Sequence, residues 1–210
     1  MIAASGLDGT APRLACDHCG VACPAVVALE LSVERYYAKD VLRAVLHTIL
    51  FHRHMSTTRP VEADIDALEI TYASLADERH TQVVRVIEEK VTEFAGIMEM
   101  QPTASSDKIK VAVMFYERRP KKSWFVKADE DTWEIAAQLT QARTEQQQLQ
   151  AQAQLVRSLC DCLTTISNEA NEHRDRIPPL VTSDPFPFQI AVSSQPTTFW
   201  NALTKMIPSN

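Results

Sequence analysis

Apolar residues recur along this chain with two alternating periods. Val27, Leu29, Leu31 and Val33 are separated by small or polar neighbours, the two-residue period of a half-buried strand. Asp40 then stands where it can cap a helix. Val41, Leu42, Val45, Leu46, Ile49 and Leu50 follow at spacings that set one stripe along one helical face. His52, Arg53 and His54 close that pattern with side chains suited to a helix C-terminus. Ile65, Leu68, Ile70 and Tyr72 read as a second strand, with Asp64 and Asp66 at its start. A long helix is expected from about Asp77 to Met98, striped by Val83, Val84, Ile87, Val91, Phe94 and Met98.

After a loop from Gln101 to Asp107, Ile109, Val111, Val113 and Phe115 form a strand of good β-propensity, and Thr132 to Leu139 is expected to pair with it. About fifteen residues separate the two, longer than the connections that dominate compact domains. The chain turns helical from about Gln141. Its Gln-rich opening is expected to project or fray, and Leu155, Leu159, Cys162, Leu163 and Ile166 then give a core-facing stripe. Pro178 and Pro179 end all helical pattern. A short strand from Phe188 to Val192 and a last helix from Thr197 to Ile207 complete the order. This is an α+β arrangement, a mainly antiparallel sheet with three main helices packed on it. Residues 1–24 show no periodicity and read as a flexible extension, leaving 25–207 as one domain.

Composition narrows the function classes. The chain has 210 residues, 45% of them hydrophobic, enough for one core. A net charge of −6 argues against a general nucleic-acid binder, which needs surplus cations to displace counterions. Only four glycines occur and no phosphate-binding Gly-rich loop can be written. There is no apolar run that would cross a bilayer and no secretory leader pattern. Five cysteines, an odd number, fit a reducing compartment, so a cytoplasmic protein is expected.

Candidate chemistry is sparse. Cys16, His18, Cys19 and Cys23 lie within eight residues, with Cys160 and Cys162 far downstream. A structural zinc site usually needs two paired knuckles, and only the first has loop spacing, so no metal is expected. His47, His52 and His54 lack carboxylates at helical spacing and read as a helix-end polar patch open to a partner surface. No nucleophile elbow or metalloprotease motif is present, and neither enzymatic activity nor a cofactor is expected.

The sharpest feature is Arg118-Arg-Pro-Lys-Lys-Ser-Trp-Phe-Val-Lys127. It places Trp124 and Phe125 beside Arg118, Arg119, Lys121 and Lys122 in the long connection, where the two rings need either the core or a partner to cover them. The four cations suit an acidic partner or an anionic membrane surface, at about 1 kcal/mol each near the lipid.

Several segments, in order, resemble the autophagy-related protein 101 family of HORMA-domain proteins. They are Ala44 to Arg53, Phe115-Tyr116 with the basic run and Trp124-Phe125, Trp133-Glu134, Asn171 to His173 with Ile177-Pro178, and Phe188 to Ile190. The two aromatics are adjacent here, whereas a proline separates them in the family pattern. The resemblance spans roughly residues 25–207 and implies a non-catalytic scaffold subunit of the autophagy-initiating Unc-51-like kinase complex. It implies pairing with the HORMA domain of autophagy-related protein 13, recruitment of downstream factors through a Trp124-Phe125 finger, and location at the phagophore assembly site. His52 and Arg53 are assigned to the HORMA-partner interface, because they end a helix in the best-matching segment and stand outside its apolar stripe. A HORMA module of a checkpoint or chromosome-axis complex is the alternative.

Overall fold

The four longest strand patterns close into one sheet, because each presents an unbroken apolar row on the same side. The computed structural model describes residues 26–53, 60–75, 81–101, 108–115, 131–173 and 188–194. The elements are β1 (Val26–Glu34), α1 (Ala38–Arg53), β2 (Val61–Ile65), β3 (Ile70–Ser74), α2 (Thr81–Met100), β4 (Lys108–Phe115), β5 (Asp131–Thr140), α3 (Glu145–Glu172) and β6 (Phe188–Ser193). The main sheet has the order β1-β5-β4-β6, and β2 and β3 form a separate two-stranded sheet. β1 runs parallel to β5, while β5–β4 and β4–β6 are antiparallel. The architecture is therefore α+β, as the order of patterns predicts, and the main sheet is mixed, with β1–β5 parallel and its other two pairings antiparallel. The extension at 1–24 and the last helix at 197–207 lie outside the described residues.

One face of the sheet makes the main core. Leu29, Leu31 and Val33 of β1, Ile109, Val111, Val113 and Phe115 of β4, Trp133 and Ile135 of β5 and Ile190 of β6 meet the buried residues of all three described helices. Burying each large side chain contributes on the order of 1.5–3 kcal/mol before chain entropy is charged against it. The opposite face is polar toward one end. There Glu30 accepts from Lys108 at 2.9 Å, and Lys110 pairs with Glu134.

α1 departs from its single expected stripe. Ala44, Val45, Leu46 and Leu50 are fully buried, and Val41, His47, Thr48 and Ile49 nearly so, which leaves little of the helix wet. The reason is tertiary: α1 packs against α2, α3 and β3, so three sides are covered at once. Thr48 Oγ1 donates to Ala44 O at 2.8 Å, which satisfies its hydroxyl inside this dry environment.

The strand expected at 65–73 is a hairpin instead. Val61–Ile65 pairs antiparallel with Ile70–Ser74, and a 3-10 turn over Asp66–Leu68 joins them. Glu69 closes that turn at φ 54°, the left-handed region that glycine usually supplies. Because a glutamate stands there, the turn left no mark in the sequence.

Helix ends are fixed by named contacts. Arg35 donates to Met98 O at 2.6 Å and to Gln101 O at 2.8 Å, holding the carbonyls at the end of α2. Asp77 and Glu78, expected to start that helix, lie outside the described residues. In α3 the Gln-rich opening is helical from Glu145. Thr144 is its N-cap, accepting from Gln147 N at 3.2 Å, while Gln147 Oε1 accepts from Arg143 N at 3.1 Å. Residues 145–150 are exposed all round, so this opening projects as a capped helix.

Candidate functional site

Chain ends converge at one end of the main sheet. Phe115, the last residue of β4, stands opposite Asp131, the first of β5, so both ends of the fifteen-residue connection 116–130 are fixed on neighbouring strands. Phe188 opens β6 on the other side of Phe115, and Val26 opens β1 beside Thr132. Trp124, Phe125, Arg118, Arg119, Lys121 and Lys122 all belong to that connection and lie outside the described residues.

The C-terminus of α1 reaches the same place. Arg53 Cζ lies 5.2 Å from the centre of the Phe115 ring, and both residues are buried, at 8% and 2% exposure. A guanidinium over an aromatic face gains from the ring quadrupole, and more so when water is excluded. The premise that Arg53 stands outside the apolar stripe is corrected here. Leu46, Ile49, Leu50 and Arg53 follow at three- and one-residue steps, which carries the stripe to the last residue of the helix.

His52 faces another way. Its Nε2 is 3.1 Å from Ser167 Oγ on α3, and that hydroxyl donates to Leu163 O at 3.0 Å. Which of the two groups donates is set by the imidazole tautomer. Phe51 packs against the same imidazole with ring centres 5.4 Å apart. Partial burial lowers the His52 pKa, favouring the neutral ring. Of the two residues, only Arg53 meets Phe115 at the foot of the connection 116–130, and His52 turns to α3. They join α1 to β4 and to α3 respectively.

His47 is not part of a helix-end polar patch, contrary to expectation. It is 2% exposed, and its Nδ1 accepts from Leu75 N at 3.1 Å, just beyond β3. Burial lowers its pKa to about 4, with Arg43 adding to the shift and Glu88 opposing it. His54 lies outside the described residues. On the α1–α2 side, Arg43 forks onto Glu88 at 2.6 and 3.0 Å and reaches Asp40 at 2.5 Å.

Burial pushes Cys162 up to about 12, so it stays protonated within the core, while Cys160 is exposed. Cys16, His18, Cys19 and Cys23 lie outside the described residues. Among those described, no three His, Cys, Asp or Glu side chains converge as a metal site, and no helix is long and apolar enough to cross a membrane.

Sequence reasoning located α1's end and the long connection separately, and missed Phe115 as the residue that joins them. Nothing local marks that contact, since Phe115 reads only as the last apolar position of a strand.

Fold and site together define a small α+β protein whose charged side chains cap helices, pair across the sheet and hold elements together. The sequence profile of the family described as autophagy-related protein 101 matches residues 30–184, and the chain belongs to that family. It is thus an autophagy-related protein. The chain is 29% identical over 188 residues to autophagy-related protein 101 of Arabidopsis thaliana, covering 79% of this chain and 85% of that one. It is 37% identical over 108 residues to the Schizosaccharomyces pombe protein of the same name, covering 51% and 54%. The Homo sapiens protein is 24% identical over 163 residues, covering 69% and 71%. The name that these relatives carry is that of an autophagy factor, not of an enzyme.

Proposed function

We propose that the protein is a non-catalytic adaptor of HORMA type within the Unc-51-like kinase complex that initiates autophagy. In this reading it pairs with and stabilises the HORMA domain of autophagy-related protein 13. It recruits downstream factors through Trp124 and Phe125, acting in the cytoplasm at the phagophore assembly site. The observation that carries the reading is the anchoring of the basic-aromatic connection: its two ends are paired at Phe115 and Asp131, and Arg53 packs on Phe115. Family membership supplies the autophagy setting. It also favours this reading over a checkpoint or chromosome-axis HORMA module.

His52, partly exposed at the end of α1, belongs to the partner face in this proposal, while Arg53, buried against Phe115, supports that end of the fold from within. Arg118, Arg119, Lys121 and Lys122 supply contacts to an acidic partner or to anionic lipid. Energetics sets the working mode. Burying one Trp and one Phe yields on the order of 1.5–3 kcal/mol each. Association costs at least several kcal/mol (~4 or more) in lost rigid-body freedom. The finger therefore acts as one weak contact in a multivalent assembly, where effective concentration multiplies its effect.

The test is co-purification with autophagy-related protein 13 from cells, comparing the wild type with Trp124→Ala/Phe125→Ala. The double variant is expected to keep the HORMA partner and lose downstream factors. Equal recruitment by both would remove the finger assignment, and failure of the wild type to capture the partner would remove the adaptor reading.

A further inference from the structure

The β2–β3 hairpin is a separate unit of the fold. It shares no strand pairing with the main sheet. Its apolar residues Ile65, Leu68 and Ile70 are buried in the common core, and β3 packs on α1. Among the described residues, side-chain hydrogen bonds tie it to the helices at both ends. Gln152 Nε2 on α3 donates to Ala67 O in the turn at 2.7 Å, on the exposed side. At the other end Leu75 N, just past β3, donates to His47 Nδ1 on α1 at 3.1 Å.

This second bond is buried, with His47 2% exposed and Leu75 0%. Its direction fixes the ring. An Nδ1 that accepts an N–H carries no proton, so the imidazole is neutral with its hydrogen on Nε2. A proton added to Nδ1 sets two donors face to face in a dry site, where an unpaired N–H and a new charge are both costly.

Neighbouring charges do not remove that cost. Arg43 on the same helix opposes a positive imidazole, while Glu88 on α2 favours one. Glu88 is itself held by Arg43 through two hydrogen bonds, and Asp40 is held by Arg43 as well. On the hairpin, the Tyr72 ring centre is 6.0 Å from that of His47, and burial keeps the phenol protonated. Asp64 accepts from Thr71 Oγ1. Burial outweighs Glu88, and the ring titrates at about 4.

We propose that His47 is a proton-released latch for the β2–β3 hairpin. Neutral, it holds Leu75 N and docks the hairpin on α1. Protonated, it lets the hairpin open while the main sheet stays paired. Opening wets Ile65, Leu68 and Ile70 and frees the imidazole to take up a proton near its ordinary value of about 6.5. Acid therefore draws the hairpin open by about tenfold per pH unit between about 6.5 and 4. This is a local opening, distinct from loss of the whole fold.

Amide hydrogen exchange of the full chain between about pH 7 and 5, corrected for the intrinsic pH dependence of exchange, tests this; the window lies above the ordinary carboxylate range. The Leu75 amide and the paired amides of β2 and β3 are expected to lose protection by about tenfold per pH unit below about pH 6. They should stay at least about tenfold less protected than Val111 and Val113, which β5 and β6 hold from both sides. His47→Asn keeps an acceptor for Leu75 N but takes up no proton, so its hairpin protection should not change with pH. Three results each overturn the latch: flat hairpin protection in the wild type, an unchanged slope in the variant, or hairpin amides that open only together with Val111 and Val113. If His47→Asn does not fold, the wild-type slope and the gap to Val111 and Val113 decide alone.

Discussion

Arg53, the last residue of α1, stacks on Phe115, the last residue of β4, at 5.2 Å from guanidinium carbon to ring centre. Sixty-two positions apart in sequence, the two fasten the central helix to the strand that leads into the basic-aromatic connection. This contact makes α1 a support for the connection's foot, and it sets the first expectation.

Arg53→Ala removes a buried cation–π contact and the packing of the arginine stem. Stability should fall by about 2 kcal/mol, read as a lower urea midpoint with an unchanged slope. Arg53→Lys should recover only part of this, since an ammonium lacks the flat face that stacks on the ring.

His47 should make the fold sensitive to acid. Its pKa is about 4 in the folded chain, below the ordinary 6.5. Between these values the unfolded chain binds the proton and the folded chain does not, so stability is lost as pH falls from about 6.5 toward 4. A shift of this size corresponds to about 3 kcal/mol at most. His52 is lowered by burial too and contributes with the same sign. Denaturation midpoints across this window for wild type and His47→Gln should therefore differ in slope, the variant being flatter. An identical slope would show that His47 is not the group responsible.

Arg35→Ala should loosen the end of α2. It removes charge-assisted hydrogen bonds to Met98 O and Gln101 O, each worth about 1.5–3 kcal/mol in favourable geometry. Because the site is only partly buried, a loss near 2 kcal/mol is expected. Hydrogen exchange should rise in residues 98–101 before it rises elsewhere.

Thr144→Ala tests the cap of α3. Losing the Gln147 N–H acceptor should cost about 1 kcal/mol and fray the exposed first turns. Faster exchange confined to residues 145–152, with the core stripe from Leu155 onward unaffected, is the expected signature.

Glu88→Gln should do much less than its short bonds suggest. Arg43 and Glu88 are 29% and 44% exposed at their side chains, and solvent screens such pairs. A loss below about 1 kcal/mol, shrinking further in high salt, is expected from a double-mutant cycle with Arg43→Gln.

The periodicities alone marked strands at Val27–Val33, Ile109–Phe115, Thr132–Leu139 and Phe188–Val192, each within a residue or two of the observed bounds, together with the three long helices and the α+β order. Each of these signals is local, because alternation or helical spacing records which side of one element is dry. Tertiary structure decided what those dry sides meet. α1 looked like a surface helix with one stripe until α2, α3 and β3 covered the remainder of it. His47 looked like part of a polar patch until Leu75 N, twenty-eight residues on, proved to be its partner. The β2–β3 turn was invisible because Glu69, not glycine, takes its left-handed position. The foot of the candidate site followed the same rule. Arg53 and Phe115 are each ordinary in their own segment, and only the packing of a helix end on a strand end joins them.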